Sequence, residues 1–186
     1  MSINRKGRKG EGETKRRRDE GTERRPQDRK TTRELNNIMI IRKATSADAE
    51  IIIDFQQKMA WETEHMHLIP EIISKRVNAV FADSYRGQYW VAEDKGNVVA
   101  SLLITYEWSD WRNTNVWWFQ SVYVLPEFRR TGVFRSMYQR IRIEAEKEGI
   151  AGLRLYVETN NSAAQGTYEA LGMNSLHYKM YEWMKE

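Results

Sequence analysis

Val124-Leu-Pro-Glu-Phe-Arg-Arg-Thr-Gly-Val-Phe134 is the stretch on which the fold turns. A β-branched and aromatic run leads into it, and a proline, two arginines and a glycine break the extended chain. Beyond the break, Val133, Met137, Ile141 and Ala145 recur every fourth residue, while Arg135, Arg140, Glu144 and Lys147 fall elsewhere. This spacing predicts an amphipathic helix, closed by Gly149. Strand, glycine turn and helix in that order present unpaired backbone N–H groups to a phosphate. Further along, Asn161-Ser-Ala-Ala-Gln-Gly-Thr-Tyr-Glu-Ala-Leu-Gly172 predicts a second helix over 162–171 that carries Tyr168 and is closed by Gly172.

The rest of the chain fits around these two segments. Met39 to Lys43 opens as a strand, and Thr45-Ser-Ala-Asp48 supplies an N-cap and an acidic first turn for a helix over 47–61. Pro70 starts another helix, with Ile73, Val77, Val80 and Phe81 on its apolar face. Strands over 88–93 and 98–107 are joined by the hairpin turn Asp94-Lys-Gly-Asn97, and a third runs from Asn115 to Leu125. Strict alternation on that third strand places Ser121 and Tyr123 opposite to Gln120. Leu153 to Val157 reads as a strand, and the alternating Leu176 to Met184 as a last one. The expectation is an α/β fold, a mixed and mostly antiparallel sheet flanked by helices.

Composition divides the 186 residues in two. Residues 1–37 hold 13 of the 30 basic and 7 of the 26 acidic residues, leaving 17 against 19 for residues 38–186. The basic excess therefore belongs to an N-terminal extension too polar to bury a core, and the domain over 38–186 is mildly acidic. That extension reads either as a tether to nucleic acid or an anionic surface, or as a solvated leader ahead of a start near Met39. Acidic residues interrupt each basic cluster, which favours the second reading and speaks against a nucleic-acid partner. No apolar run has the length of a bilayer span or a signal-peptide core, so a cytoplasmic protein without membrane contact is expected. Cysteine is absent, which excludes disulfides, thiolate metal sites and a protein thioester.

Val124-x-Pro126-x-Phe128-Arg129-x-x-Gly132 and Asn161-x-x-Ala164-x-x-x-Tyr168-x-x-x-Gly172-Met173 resemble the two motifs of the GNAT superfamily of acyl-CoA N-acyltransferases, and the resemblance covers residues 39–186. It implies a single GNAT-like domain that takes acetyl-CoA as its acyl donor, without a metal. It further implies that Val122, Tyr123 and Val124 lend their backbone to the pantetheine arm. Arg129, Arg130, Thr131, Gly132, Val133, Phe134 and Arg135 would form the phosphate turn, while Asn161 and Ala164 border the carrier. Tyr168 would give its proton to the departing thiolate. Phe134 departs from the family pattern, which has Gly or Ala at that position.

The family often places an ionisable base at the position of Trp118 or Gln120, and none stands there. Gln120 could position a water that removes the acceptor's proton; Glu107, Asp110 and Glu158 are the carboxylate candidates. Trp61, Trp108, Trp111, Trp117 and Trp118, with Glu62 and Glu64, suit a cationic amine or equally pack the sheet and a homodimer interface. His65-Met-His67 has no third ligand at a metal-binding spacing, so no metal is assigned. The reading is an acetyltransferase acting on a primary amine, a small molecule in preference to a protein. An acyl-CoA-binding sensor without catalysis and a ribosome- or nucleic-acid-associated factor are its rivals.

Overall fold

In the computed structural model of the protein, residues 39–177 and 179–185 are described. Their order is β1 (Ile40–Lys43), α1 (Ala49–Glu64), α2 (Pro70–Ala82), β2 (Gln88–Asp94), β3 (Asn97–Ser109), β4 (Thr114–Val124), α3 (Val133–Lys147), β5 (Gly152–Arg154) and α4 (Ser162–Ala170). Short 3-10 turns precede α1 at Ser46–Asp48 and α3 at Pro126–Phe128. The five strands lie side by side in sequence order. The first four pair antiparallel, and β5 joins β4 in parallel because α3 carries the chain back to its starting end.

Both faces of the sheet are covered. Val133, Met137, Ile141 and Ala145 of α3 pack on Trp90, Leu102, Ile104, Trp117 and Phe119, and all of these side chains are buried. On the opposite face, Ala49 and Ile52 of α1 and Ile73 and Val77 of α2 pack on Tyr89 and Val91. Each fully buried aliphatic side chain contributes about 1.5–3 kcal/mol. These two cores fix where α1 and α3 meet the strands, and hence what can face the end of β4.

The predicted start of α1 is built around Asp48. Its carboxylate accepts from the Thr45 amide at 2.8 Å and from two guanidinium nitrogens of Arg42, both at 2.8 Å. Arg42 Nε also reaches Glu93 at 3.0 Å, so one arginine ties β1, the turn and β2 together. The hairpin between β2 and β3 has positive φ at both Lys95 and Gly96, the conformation that follows the twist of paired strands.

Three expectations need correction. The Leu176–Met184 segment forms no strand among its described residues, and Leu176, Met180, Tyr181, Trp183 and Met184 are exposed. Alternation marks a chain able to be half buried, but a ladder needs a partner edge, and among the described residues β5 pairs with β4 alone. The strand expected over 153–157 shortens to Gly152–Arg154. Ser121 takes a left-handed φ of 49°, and Tyr123 pairs with Ser101 while Gln120 pairs with Leu103, so β4 carries one extra residue between them. This bulge resets the alternation and puts Tyr123 on the same face as Gln120.

Candidate active site at the parting of β4 and β5

The β4–β5 ladder ends at Trp118 opposite Arg154, whereas β4 runs on to Val124. From Phe119 to Val124 the strand therefore offers an edge without ladder bonds to β5. Its end leads directly into the turn that opened the sequence reading. Phe128 and Arg129 donate backward to Leu125 and Pro126, at 2.9 and 3.2 Å. Arg130 then takes φ 64° and Gly132 φ 91°, and α3 begins. No amide from Arg130 to Arg135 finds an acceptor among the described residues. The left-handed residues and the unpaired first turn of α3 make these donors a concave anion-binding surface. A Cβ built on Gly132 meets nothing within 4 Å, so the glycine is required by its φ, not by crowding.

Arg130, Thr131 and Arg135 are exposed beside these amides, while Val133 is buried in the core. Phe134 lies with its ring 6.2 Å from Phe119, 6.5 Å from Tyr138 and 5.6 Å from Tyr168. Its bulk is absorbed by the α3 core, and the turn remains lined by free donors. Arg129 has partners that its place in the sequence does not reveal. Its Nε donates to the Val124 carbonyl at 2.9 Å, its Nη2 to Glu62 at 2.6 Å, and the guanidinium lies 5.4 Å from the Tyr123 ring centre. Its charge is thus paired with a carboxylate of α1.

Tyr168 on α4 faces the turn through its edge contact with Phe134. Its hydroxyl makes no hydrogen bond among the described residues, and burial pushes its pKa up, so the phenol keeps its proton. Asn161 caps α4, its Oδ1 accepting from the Ala164 amide at 3.0 Å. Val122 and Val124 pack toward the α3 core, and Tyr123 toward α1, where its ring lies 5.1 Å from Phe55.

On the α1-facing side, Gln120 Nε2 donates to Thr105 Oγ1 at 2.6 Å, and its carbonyl oxygen has no donor among the described residues. Glu107 accepts from Trp118 Nε1 at 2.6 Å and from Arg154 Nη1 at 2.7 Å, so both carboxylate oxygens are engaged. Tyr156 packs against Trp118 at 6.2 Å. Trp61 lies under His67, stacked at 4.7 Å, with His65 at its edge. Asp110, Trp108 and Trp111 do not join this cleft. They sit at the β3–β4 hairpin tip, where Thr114 donates to Gly149 and the amide of Ala151 to Asn115. That end of β4 lies about 30 Å from Val124 along the strand. Trp111 is 89% exposed there, and Asp110 Oδ1 accepts from the Trp111 amide.

Arg154, Tyr156 and Thr105 escaped the sequence reading. Arg154 and Tyr156 alternate with Leu153 and Leu155, so the period of that strand already set them on the face opposite the core. Thr105 carried no comparable signal.

A sheet parted between parallel strands, with an amide-lined turn at the parting, defines a class that comparison with known proteins makes specific. The model of the acetyltransferase (GNAT) family matches residues 50–173, and the chain belongs to that family. The crystal structure of a possible acetyltransferase from Clostridium difficile 630 is 42% identical, with a TM-score of 0.74, over 80% of this chain and 99% of that one. Ribosomal protein bS18-alanine N-acetyltransferase of Escherichia coli (strain K12) is 39% identical over 54 residues, 29% of this chain and 36% of that protein. Thialysine N-epsilon-acetyltransferase of Bos taurus is 32% identical over 79 residues, 42% of this chain and 46% of that protein. The matched stretches span less than half the length of either curated relative. No helix among the described residues is long and apolar enough to cross a membrane.

Proposed function

We propose that the protein transfers an acetyl group from acetyl-CoA directly to a primary amine, with a small molecule as the acceptor. The observation that carries this reading is the run of unpaired amides from Arg130 to Arg135, continuous with the free edge of β4 and facing Tyr168. Those amides, with Arg130 and Arg135, suit a pyrophosphate. The backbone of Val122 to Val124 suits an extended arm laid along it. When bound, acetyl-CoA supplies an activated acyl thioester. Tyr168 holds a proton at its hydroxyl for the thiolate that leaves, and the open Gln120 carbonyl orients a water to receive the acceptor's proton. With both oxygens of Glu107 engaged, it holds Trp118 and Arg154 in place. The rings of Trp118 and Tyr156, beside that ion pair, offer a cationic amine a partly apolar approach.

The relatives differ in what they are named for: one acts on an alanine of a ribosomal protein, the other on thialysine. The rings of Trp118 and Tyr156, close together beside one ion pair, favour the smaller acceptor. Residues 38–186 are read as the catalytic unit, in the cytoplasm. The exposed Leu176, Met180, Trp183 and Met184 favour a homodimer, which light scattering on the purified chain measures directly.

Thiol release on a panel of amines tests the proposal, with intersecting initial-rate lines expected for a ternary complex. Tyr168→Phe should lower kcat by about a hundredfold and leave the KM for acetyl-CoA nearly unchanged. Unchanged turnover removes Tyr168 from the chemistry. The engaged state of Glu107 favours a second reading, an acyl-CoA sensor without catalysis. Calorimetric binding of CoA with no turnover on any amine would select it.

A further inference from the structure

We propose that Glu62 is a positioning residue for the donor half of the site, acting through Arg129 to hold the anion-binding turn against the end of β4. The inference rests on the reading of that turn as the carrier's phosphate site. Glu62 lies in the last turn of α1, remote in sequence from the turn it touches. One of its oxygens accepts from Arg129 Nη2 at 2.6 Å, the other from the Tyr123 hydroxyl at 2.9 Å. Arg129 Nε simultaneously donates to the Val124 carbonyl at 2.9 Å. The guanidinium thus closes the bend from Val124 to Arg129 back onto the strand, and Glu62 fixes its direction.

The electrostatics agree with the geometry. Although partial burial of Glu62 opposes ionisation, the hydrogen bonds from Arg129 and Tyr123 hold its carboxyl below the usual range. Tyr123 is pushed up to about 12, by burial first and by Glu62 second, so it remains a donor. An ionised carboxylate with two charge-assisted or neutral donors has a single preferred placement. Arg129 is also the residue just before Arg130, whose left-handed φ begins the row of free amides. Tilting Arg129 tilts that row, and small misplacements of oriented groups are costly to binding and rate. Because Arg129 is neutralised by Glu62, the positive charge left for an anion comes from Arg130 and Arg135.

The same carboxylate stands three residues before His65, whose left-handed φ of 53° ends α1 and starts the loop toward α2. The donor turn and the loop bearing His65 and His67 are therefore anchored to one helix end. A loss at Glu62 should be felt first in carrier affinity, since Arg129 and Tyr123 are its direct partners.

Glu62→Gln keeps the shape and removes the charge. Expected are a rise of about tenfold in the Kd for CoA and in the KM for acetyl-CoA, and a kcat within about twofold. Arg129→Met should give a similar loss, and the double variant no more than either alone. In the absence of any ligand, trypsin should cleave after Arg129 and Arg130 several times faster in Glu62→Gln than in the unaltered protein. Additive losses in the double variant would show Arg129 contacting the carrier itself and would overturn the proposal. Unchanged cleavage rates overturn it as well. If the unaltered protein binds no CoA, the phosphate-site reading fails, and the ligand-free cleavage still decides whether Glu62 holds the turn.

Discussion

Gly132 shows at the scale of one residue how backbone conformation and function meet. Its φ of 91° lies where a side chain is strained, yet the space its Cβ would enter is open. Gly132→Ala should therefore cost about 1–2 kcal/mol in urea unfolding, from strain alone. The new methyl group would also sit beside the free amides, so CoA binding should weaken by more than the stability loss explains. A melting temperature and a calorimetric Kd on the same sample separate the two. Tyr168 answers a different question. Burial raises its pKa above the ordinary phenol, so the proton is held at neutral pH and lost only above the ordinary phenol value. An alkaline fall in kcat that belongs to Tyr168 should thus lie above that value and disappear in Tyr168→Phe. Sequence alone singles out these two residues because the readings of them rest on local order, a turn before a helix and a ring on one. It could not pair Arg129 with Glu62, because nothing local reveals that a carboxylate on α1 meets its guanidinium.

Among the elements, the start of α1 offers the cleanest electrostatic test. Asp48 is nearly buried, and the Arg42 hydrogen bonds, outweighing desolvation, lower its pKa to about 2. A depressed carboxyl contributes stability that is complete above its unfolded pKa, near 4, and lost as pH falls toward 2. A shift of this size corresponds to about 2 kcal/mol. Unfolding by urea at pH 6 and at pH 2.5 should show that loss in the native sequence, and Asp48→Asn should lower the pH 6 value while flattening the difference. The cap was legible because Thr45 and Asp48 stand at the spacing of a helix start. Arg42 as its partner was not, since strand and turn are joined only by folding. The same limit applies to β5: its period was readable, but the place where it parts from β4 depends on the twist of two strands far apart in sequence.

At the scale of the whole molecule, charge divides the sequence near residue 37. Removing residues 1–37 converts a chain of net charge +4 into one of 17 basic and 19 acidic residues. The truncated protein should keep its melting temperature and turnover, and should lose any salt-sensitive retention on an immobilised polyanion. A fall in turnover would assign that segment to the catalytic unit. The order of the elements and the apolar faces of the helices after Pro70 and Gly132 followed from hydrophobic periods that the folded chain kept. The C-terminal segment, with an equally clear period, lies exposed because pattern specifies a face and not its neighbour.

One extra residue in β4 governs how the halves of the site communicate. Ser121 acts as a phase shift: the strand presents Trp117 and Phe119 to α3 before it, and Val122 and Val124 after it. Without the bulge, a Ser121 in ordinary extended conformation would restore simple two-residue counting and interchange inside and outside downstream. The Tyr123 phenol would be driven into the hydrocarbon under α3, and a valine would stand opposite Glu62. Carrier side and acceptor side would then be wired to the wrong surfaces, although no residue proposed to touch either substrate had been replaced.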